Sequence, residues 1–207
     1  MQTALLVITI AVALLDWASR LWHHERLETY TKPITTVLVI GLALVSGAPA
    51  GHIAVAVVAL VLCLGGDVAL MPVVDKFVVG LASFLLGHLV FIGLFVQYGL
   101  HQPRLAGIAI LLGAVLIMSV GNLIVRGAAA NDPALKVPVT AYLFVITTMT
   151  AFGWATGMGW VIAGTTLFVI SDSILGWRQF VRERAWMSVA VMVTYHGAIA
   201  SLALSLW

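Results

Sequence analysis

The sequence predicts an all-α fold, a polytopic membrane bundle of eight transmembrane helices. Three observations predict it. Hydrophobic residues make up 62% of the 207 and charged residues only 9%, against about 25% charged in a soluble domain. The mean hydropathy is +1.13. The apolar residues run in continuous stretches and do not alternate with period two, which argues against the strands of a membrane barrel.

Breaking the chain at its polar clusters places spans near 2–22, 33–48, 51–71, 77–99, 104–125, 137–155, 158–178 and 186–206. Helices of this order of length cross about 30 Å of hydrocarbon. The first is expected to be a retained span and not a signal peptide. Met1-Gln2-Thr3 carries no basic n-region, and Asp16-Trp17 stands where a small-residue cleavage site belongs. The second opens at Lys32-Pro33. Turn residues separate the second, third, fourth and fifth spans: Ser46-Gly47-Ala48-Pro49, Pro72-Val73-Val74-Asp75-Lys76 and His101-Gln102-Pro103-Arg104. Thr156-Gly157-Met158-Gly159 separates the sixth from the seventh. The longest connections surround Trp22-His23-His24-Glu25-Arg26, whose histidines are expected in solvent, and residues 127–136. The whole chain reads as one integral membrane domain.

Basic residues orient the bundle. Connections after the odd-numbered spans hold nine of the ten: Arg20, Arg26, Lys32, Lys76, Arg126, Lys136, Arg178, Arg182 and Arg184. The opposite side holds Arg104. By the positive-inside rule both termini then lie outside the cytoplasm, in a membrane expected to be the bacterial inner membrane. The net charge of +2 is too small to argue for nucleic acid. A single cysteine, Cys63, excludes an intramolecular disulfide and a thiolate metal site.

Asp67 and Asp172 are the most informative residues, because each lies inside an apolar run. A carboxylate in hydrocarbon costs several kcal/mol, so such groups face a protein interior and serve a function. Small neighbours in Gly65-Gly66-Asp67 and Ser171-Asp172 allow close approach. With the orientation above, Asp16, Asp67, Asn122 and Asp172 fall late in their spans, and Lys32 and Tyr142 early in theirs. His88, Tyr195 and His196 come near mid-membrane. Strongly polar side chains thus gather in the cytoplasmic half, which implies one polar cavity opening that way. Lys32, His88, Tyr142, Tyr195, His196 and Asn122 are the candidate substrate-binding residues. Each also has a structural reading, as an interhelical hydrogen bond or a cap; Asp16 reads mainly so. A faint duplication is visible too. Lys32-Pro33 precedes Asp67 by 35 residues and Lys136-Val137-Pro138 precedes Asp172 by 36, counted from the lysines. It divides the chain into two four-helix halves, about 1–103 and 104–207.

At these residues the chain resembles the YhhN-like membrane proteins that include the lysoplasmalogenases. The matching elements are Lys32-Pro33, Gly66-Asp67 and Gly80-Leu81-Ala82-Ser83-Phe84-Leu85-Leu86-Gly87-His88. They continue with Tyr142, Met149 and Phe168-Val169-Ile170-Ser171-Asp172-Ser173. The resemblance covers nearly the whole chain, in order. It implies an eight-helix enzyme that hydrolyses the vinyl ether bond of a lysophospholipid, releasing a fatty aldehyde and a glycerophospho-alcohol. It also implies that Asp67 and Asp172 are the catalytic pair.

Vinyl ether hydrolysis protonates the β-carbon and gives an oxocarbenium ion that water captures. One carboxyl must carry a proton and another must be ionised, a division that two acids sharing a low-dielectric cavity favour. The chemistry parallels glycosidases and requires neither metal nor cofactor. Lys32 and nearby arginines are placed to hold a phosphate headgroup. Two other readings remain open on the residues alone. Intramembrane acids also relay protons in small transporters. His88 and His196 with the aspartates form a donor set adequate for zinc in a metal-dependent lipid hydrolase.

Overall fold

The computed structural model describes residues 2–22 and 24–207; His23 lies outside the described residues. Eight helices follow in order: α1 Gln2–Leu21, α2 Glu25–Leu44, α3 Ala50–Ala69 and α4 Phe77–Tyr98. Then come α5 Pro103–Asn131, α6 Lys136–Thr156, α7 Gly159–Phe180 and α8 Ala185–Leu204. Among the described residues there is no strand. Seven of the helices, all but α2, are long and apolar enough to cross a membrane.

Two helices differ most from the spans read in the sequence, and α2 also ends at Leu44 and not near 48. Helix α2 begins at Glu25, eight residues before Pro33, so this proline lies inside the helix and does not open it. The early turns of α2 carry charge, which made them look like a loop. Tertiary partners satisfy that charge: Glu28 meets Arg20 at 3.2 Å and Lys32 meets Asp67 at 3.3 Å. Helix α5 continues past residue 125 to Asn131, through one π-helical turn at Ile117–Gly121. Gly127 makes this possible. A Cβ there would stand 2.1 Å from the Phe180 carbonyl oxygen, so only glycine lets α5 lie against the end of α7.

Helix α3 packs most extensively on α4, and α7 on α8. Further neighbours are α1 with α2, α2 with α3, α5 with α6, and α6 with α7. The halves of the chain meet where α4 packs on α6, α2 and α1 on α8 and, less extensively, α3 on α8. Helix α8 is the most enclosed span, with 56% of its apolar window buried, against 17% for α5 at the periphery. Small residues allow the closest approaches. A Cβ on Gly66 would fall 2.5 Å from the Phe84 ring, and one on Gly164 would fall 2.7 Å from Leu202. Such small-residue seams are how membrane helices pack closely without a hydrophobic driving force.

Candidate active site

Asp67 sits in the last turn of α3, fully buried. The Gly66 seam holds that turn against α4, and three groups from other helices converge on the carboxylate. From α2, Lys32 Nζ lies 3.3 Å from Oδ1, and Thr36 Oγ1 donates to Oδ2 at 2.6 Å. From α8, Tyr195 Oη donates to the same Oδ2 at 2.7 Å. Lys32 and Thr36 are one helical turn apart and therefore share a face. That spacing was a usable signal for Thr36, which the sequence reading missed.

Asp172, on α7, is half-buried and has a simpler environment. Tyr142 Oη, from α6, donates to its Oδ2. The two aspartates are thus each met by a tyrosine hydroxyl, but among the described residues only Asp67 is also ion-paired to a cation.

Both acids line one polar chamber of about 220 Å³, walled by α2, α3, α7 and α8 with Arg20 of α1 and Phe77 and Phe84 of α4. Arg20, Lys32 and Arg178 supply its positive charge, while Glu28 and Asp75 add negative charge at the same end. These residues belong to the helix ends and turns that carry most of the basic side chains, so the chamber lies toward the basic end of the bundle. Arg20 is already held by Asp16 at 3.1 Å, Glu28 at 3.2 Å and Ser188 at 3.1 Å. Arg178 pairs with Glu183 at 2.7 Å, with more of its side chain exposed.

A second, almost wholly apolar slot runs between α4, α5, α6 and α7, and the π-helical turn of α5 forms part of its wall. Slot and chamber share five lining residues: Leu70, Phe77, Phe84, Leu175 and Asp172. Asp172 is the only acid in the slot lining and lies at the seam of the two spaces.

The other candidates separate. Tyr195 and Lys32 line the chamber, and Tyr142 lines the slot. His196 follows Tyr195 by one residue, about 100° around the helix, and so faces α1. There Trp17 Nε1 donates to its Nδ1 at 3.1 Å. His88 is fully buried behind the site, its ring edge-on to Phe168 at 4.6 Å and to Tyr142 at 5.4 Å. Neither histidine is among the residues lining the chamber or the slot. Asn122 is exposed on the outer flank of α5, in a shallow groove against α6, which corrects its expected place in the cavity. The inward face of α5 here is formed by Ile117, Val120, Gly121 and Ile124, at ordinary helical spacing, and Asn122 lies off that face. Asp16 bridges helices, accepting from Thr31 at 2.7 Å and from Arg20. Among the described residues, no three His, Cys, Asp or Glu side chains come together as a metal-ligand set.

Comparison with known proteins supplies the lineage. The model of the YhhN family matches residues 27–206. The chain belongs to the YhhN family. Similar proteins within reach of this YhhN chain include the human lysoplasmalogenase TMEM86B, 29% identical over 62% of this chain and 53% of its own length. The lysoplasmalogenase of Mycobacterium bovis is 27% identical over 59% of this chain and 48% of its own. The Sus scrofa lysoplasmalogenase TMEM86B is 31% identical over 63% of this chain and 54% of its own. The chain thus spans about half the length of these relatives. No solved structure matches the YhhN chain.

Proposed function

We propose that this protein is a membrane lysoplasmalogenase, hydrolysing the vinyl ether bond of a lysophospholipid with Asp67 and Asp172 as the acid–base pair. The observation that carries the reading is the position of Asp172. A lysoplasmalogen has its vinyl ether where a polar glycerophosphate joins an apolar chain, and Asp172 lies where a polar chamber joins an apolar slot. The relatives named lysoplasmalogenase support the same reaction.

The neighbours of the two acids divide their roles. Asp67 faces an ammonium group and two hydroxyl donors, a set that suits a carboxylate. Asp172 receives one hydroxyl on Oδ2, which leaves Oδ1 to carry the proton. Asp172 protonates the β-carbon of the alkenyl chain, the π electrons forming the new C–H bond. The resulting oxocarbenium ion is stabilised by the negative charge at Asp67. Water adds to the carbon next to oxygen and gives up a proton to the Asp172 carboxylate. The hemiacetal then collapses to a fatty aldehyde and the free glycerol hydroxyl. Electrostatic stabilisation of the cation in a water-poor site is the larger contribution, with proton transfer adding about 10²–10⁴-fold.

Lys32 and Arg178 offer charge for the phosphate, and Glu28 and Asp75 offer the opposite charge for a headgroup amine. The mixed lining fits a zwitterionic headgroup. By the positive-inside rule the chamber faces the cytoplasm, with both termini on the other side, in the inner membrane of a bacterium. The 4+4 duplication belongs to the same proposal. Its support is the matched order of neighbours: α2–α3 with α6–α7, α3–α4 with α7–α8, and α4–α6 with α8–α2.

The test is mass spectrometry of lysolipids incubated with the purified protein, comparing vinyl ether, alkyl ether and ester analogues. Aldehyde is expected from the vinyl ether alone. Release of fatty acid from the ester, with the vinyl ether untouched, would replace this reaction by an esterase.

A further inference from the structure

The apolar slot does not end near Asp172. Beyond it lies a third space of about 110 Å³ between α5, α6 and α7. The slot and this compartment share Leu116, Thr147 and Val169, one residue from each helix, which together form a partition. The slot itself is narrow, about 50 Å³. Three spaces therefore stand in series: a charged chamber, an apolar slot and an apolar compartment.

The compartment is apolar in spite of its threonines. Thr147 and Thr150 donate their hydroxyls to carbonyls one turn back on α6, at 2.7 and 2.9 Å. Thr166 does the same on α7 at 2.7 Å. Hydroxyls bound in this way are satisfied inside their own helix. At the far end, Trp154 Nε1 donates to Thr166 Oγ1 at 3.0 Å and ties α6 to α7. Trp154 is twelve residues beyond Tyr142 on α6, about 18 Å at a rise of about 1.5 Å per residue. One leaflet of hydrocarbon is about 15 Å deep. The series is as long as one lipid chain.

We infer that the compartment beyond Leu116, Thr147 and Val169 takes the distal part of the substrate's hydrocarbon chain, and that this partition sets the chain-length preference. The inference deepens the lysolipid reading and rests on it. A short chain ends in the slot, before the partition. A long chain must pass it, and its terminal methylenes then lie in an apolar site walled by three helices. Leu116 is half-buried and borders both spaces, so its size governs passage.

The experiment compares kcat/KM for a series of vinyl ether lysolipids from short to long chains, in wild type, Leu116→Trp and Leu116→Ala. Leu116→Trp should lower the long-to-short ratio about tenfold or more, the effect of several methylenes losing an apolar site. Leu116→Ala should extend turnover to chains longer than wild type accepts. Val169→Phe, on a different helix, repeats the block if Leu116→Trp does not fold. Binding of non-cleavable alkyl ether lysolipids, measured by calorimetry over the same chain lengths, gives a second readout. Variants that scale every chain length equally, in turnover and in binding, overturn the partition. A wild type that binds long chains over short ones, with the preference moved by Leu116, yet releases no aldehyde, retains the chain track and removes the reaction.

Discussion

Tyr195 donates its hydroxyl to Asp67 across 128 residues of sequence, at 2.7 Å. The bond ties the most enclosed helix, α8, to the carboxylate at the end of α3. Together with Lys32 and Thr36 from α2, it surrounds Asp67 with donors from two further helices. Asp172 has one side-chain donor, Tyr142. An asymmetric pair of acids in one chamber is the arrangement that proton donation and cation stabilisation require.

Replacing either acid by its amide removes the proton or the charge while keeping the shape. Asp172→Asn and Asp67→Asn should each lower aldehyde release by about a hundredfold or more. Both proteins should still purify as folded monodisperse species. Full turnover in either would reject the paired-acid mechanism.

Lys32 and Asp67 form a buried pair, with side chains 10% and 0% exposed. Lys32→Met leaves the carboxylate without its cation and should cost about 3–5 kcal/mol of stability. Adding Asp67→Leu should recover most of that loss without restoring turnover. Thermal unfolding in detergent, read beside an activity assay, separates the two effects. Equal stability of Lys32→Met and wild type would show that the pair does not hold the helices.

Tyr195→Phe and Thr36→Val each remove one donor from the same oxygen, Asp67 Oδ2. Their effects on turnover should be non-additive, because groups sharing a partner couple. A double-mutant cycle on kcat/KM measures this. Strict additivity would mean the two hydroxyls act independently of Asp67.

Gly66 is expected to tolerate no side chain, since a Cβ there would meet the Phe84 ring at 2.5 Å. Gly66→Ala should cost about 1–3 kcal/mol by overpacking and lower activity by displacing the adjacent Asp67. Phe84→Leu in the same protein should recover part of both. Failure of the second change to help would place the strain elsewhere.

Asn122→Ala should leave aldehyde release and stability unaltered, because Asn122 is exposed on the outer flank of α5. A tenfold loss of turnover would return it to the site.

The amino-acid sequence determined the membrane class, the number of helices, the two intramembrane acids and the end of the bundle to which polar groups belong. These follow from local properties: apolar length, the position of charge along a span, and turn residues between spans. It also carried Lys32, Tyr142 and Tyr195 as candidates near the acids. Only the tertiary structure decided which donors meet which acid, because that depends on how each helix is rotated about its axis. One residue of offset sends Tyr195 to Asp67 and His196 to Trp17. Asn122, beside the inward-facing Gly121, lies on the outer flank of α5. The charged start of α2 read as loop until its partners on α1 and α3 were in place. The meeting of polar chamber and apolar slot at Asp172 was equally invisible beforehand, since a cavity is a property of the gaps between helices and is written in no single one of them.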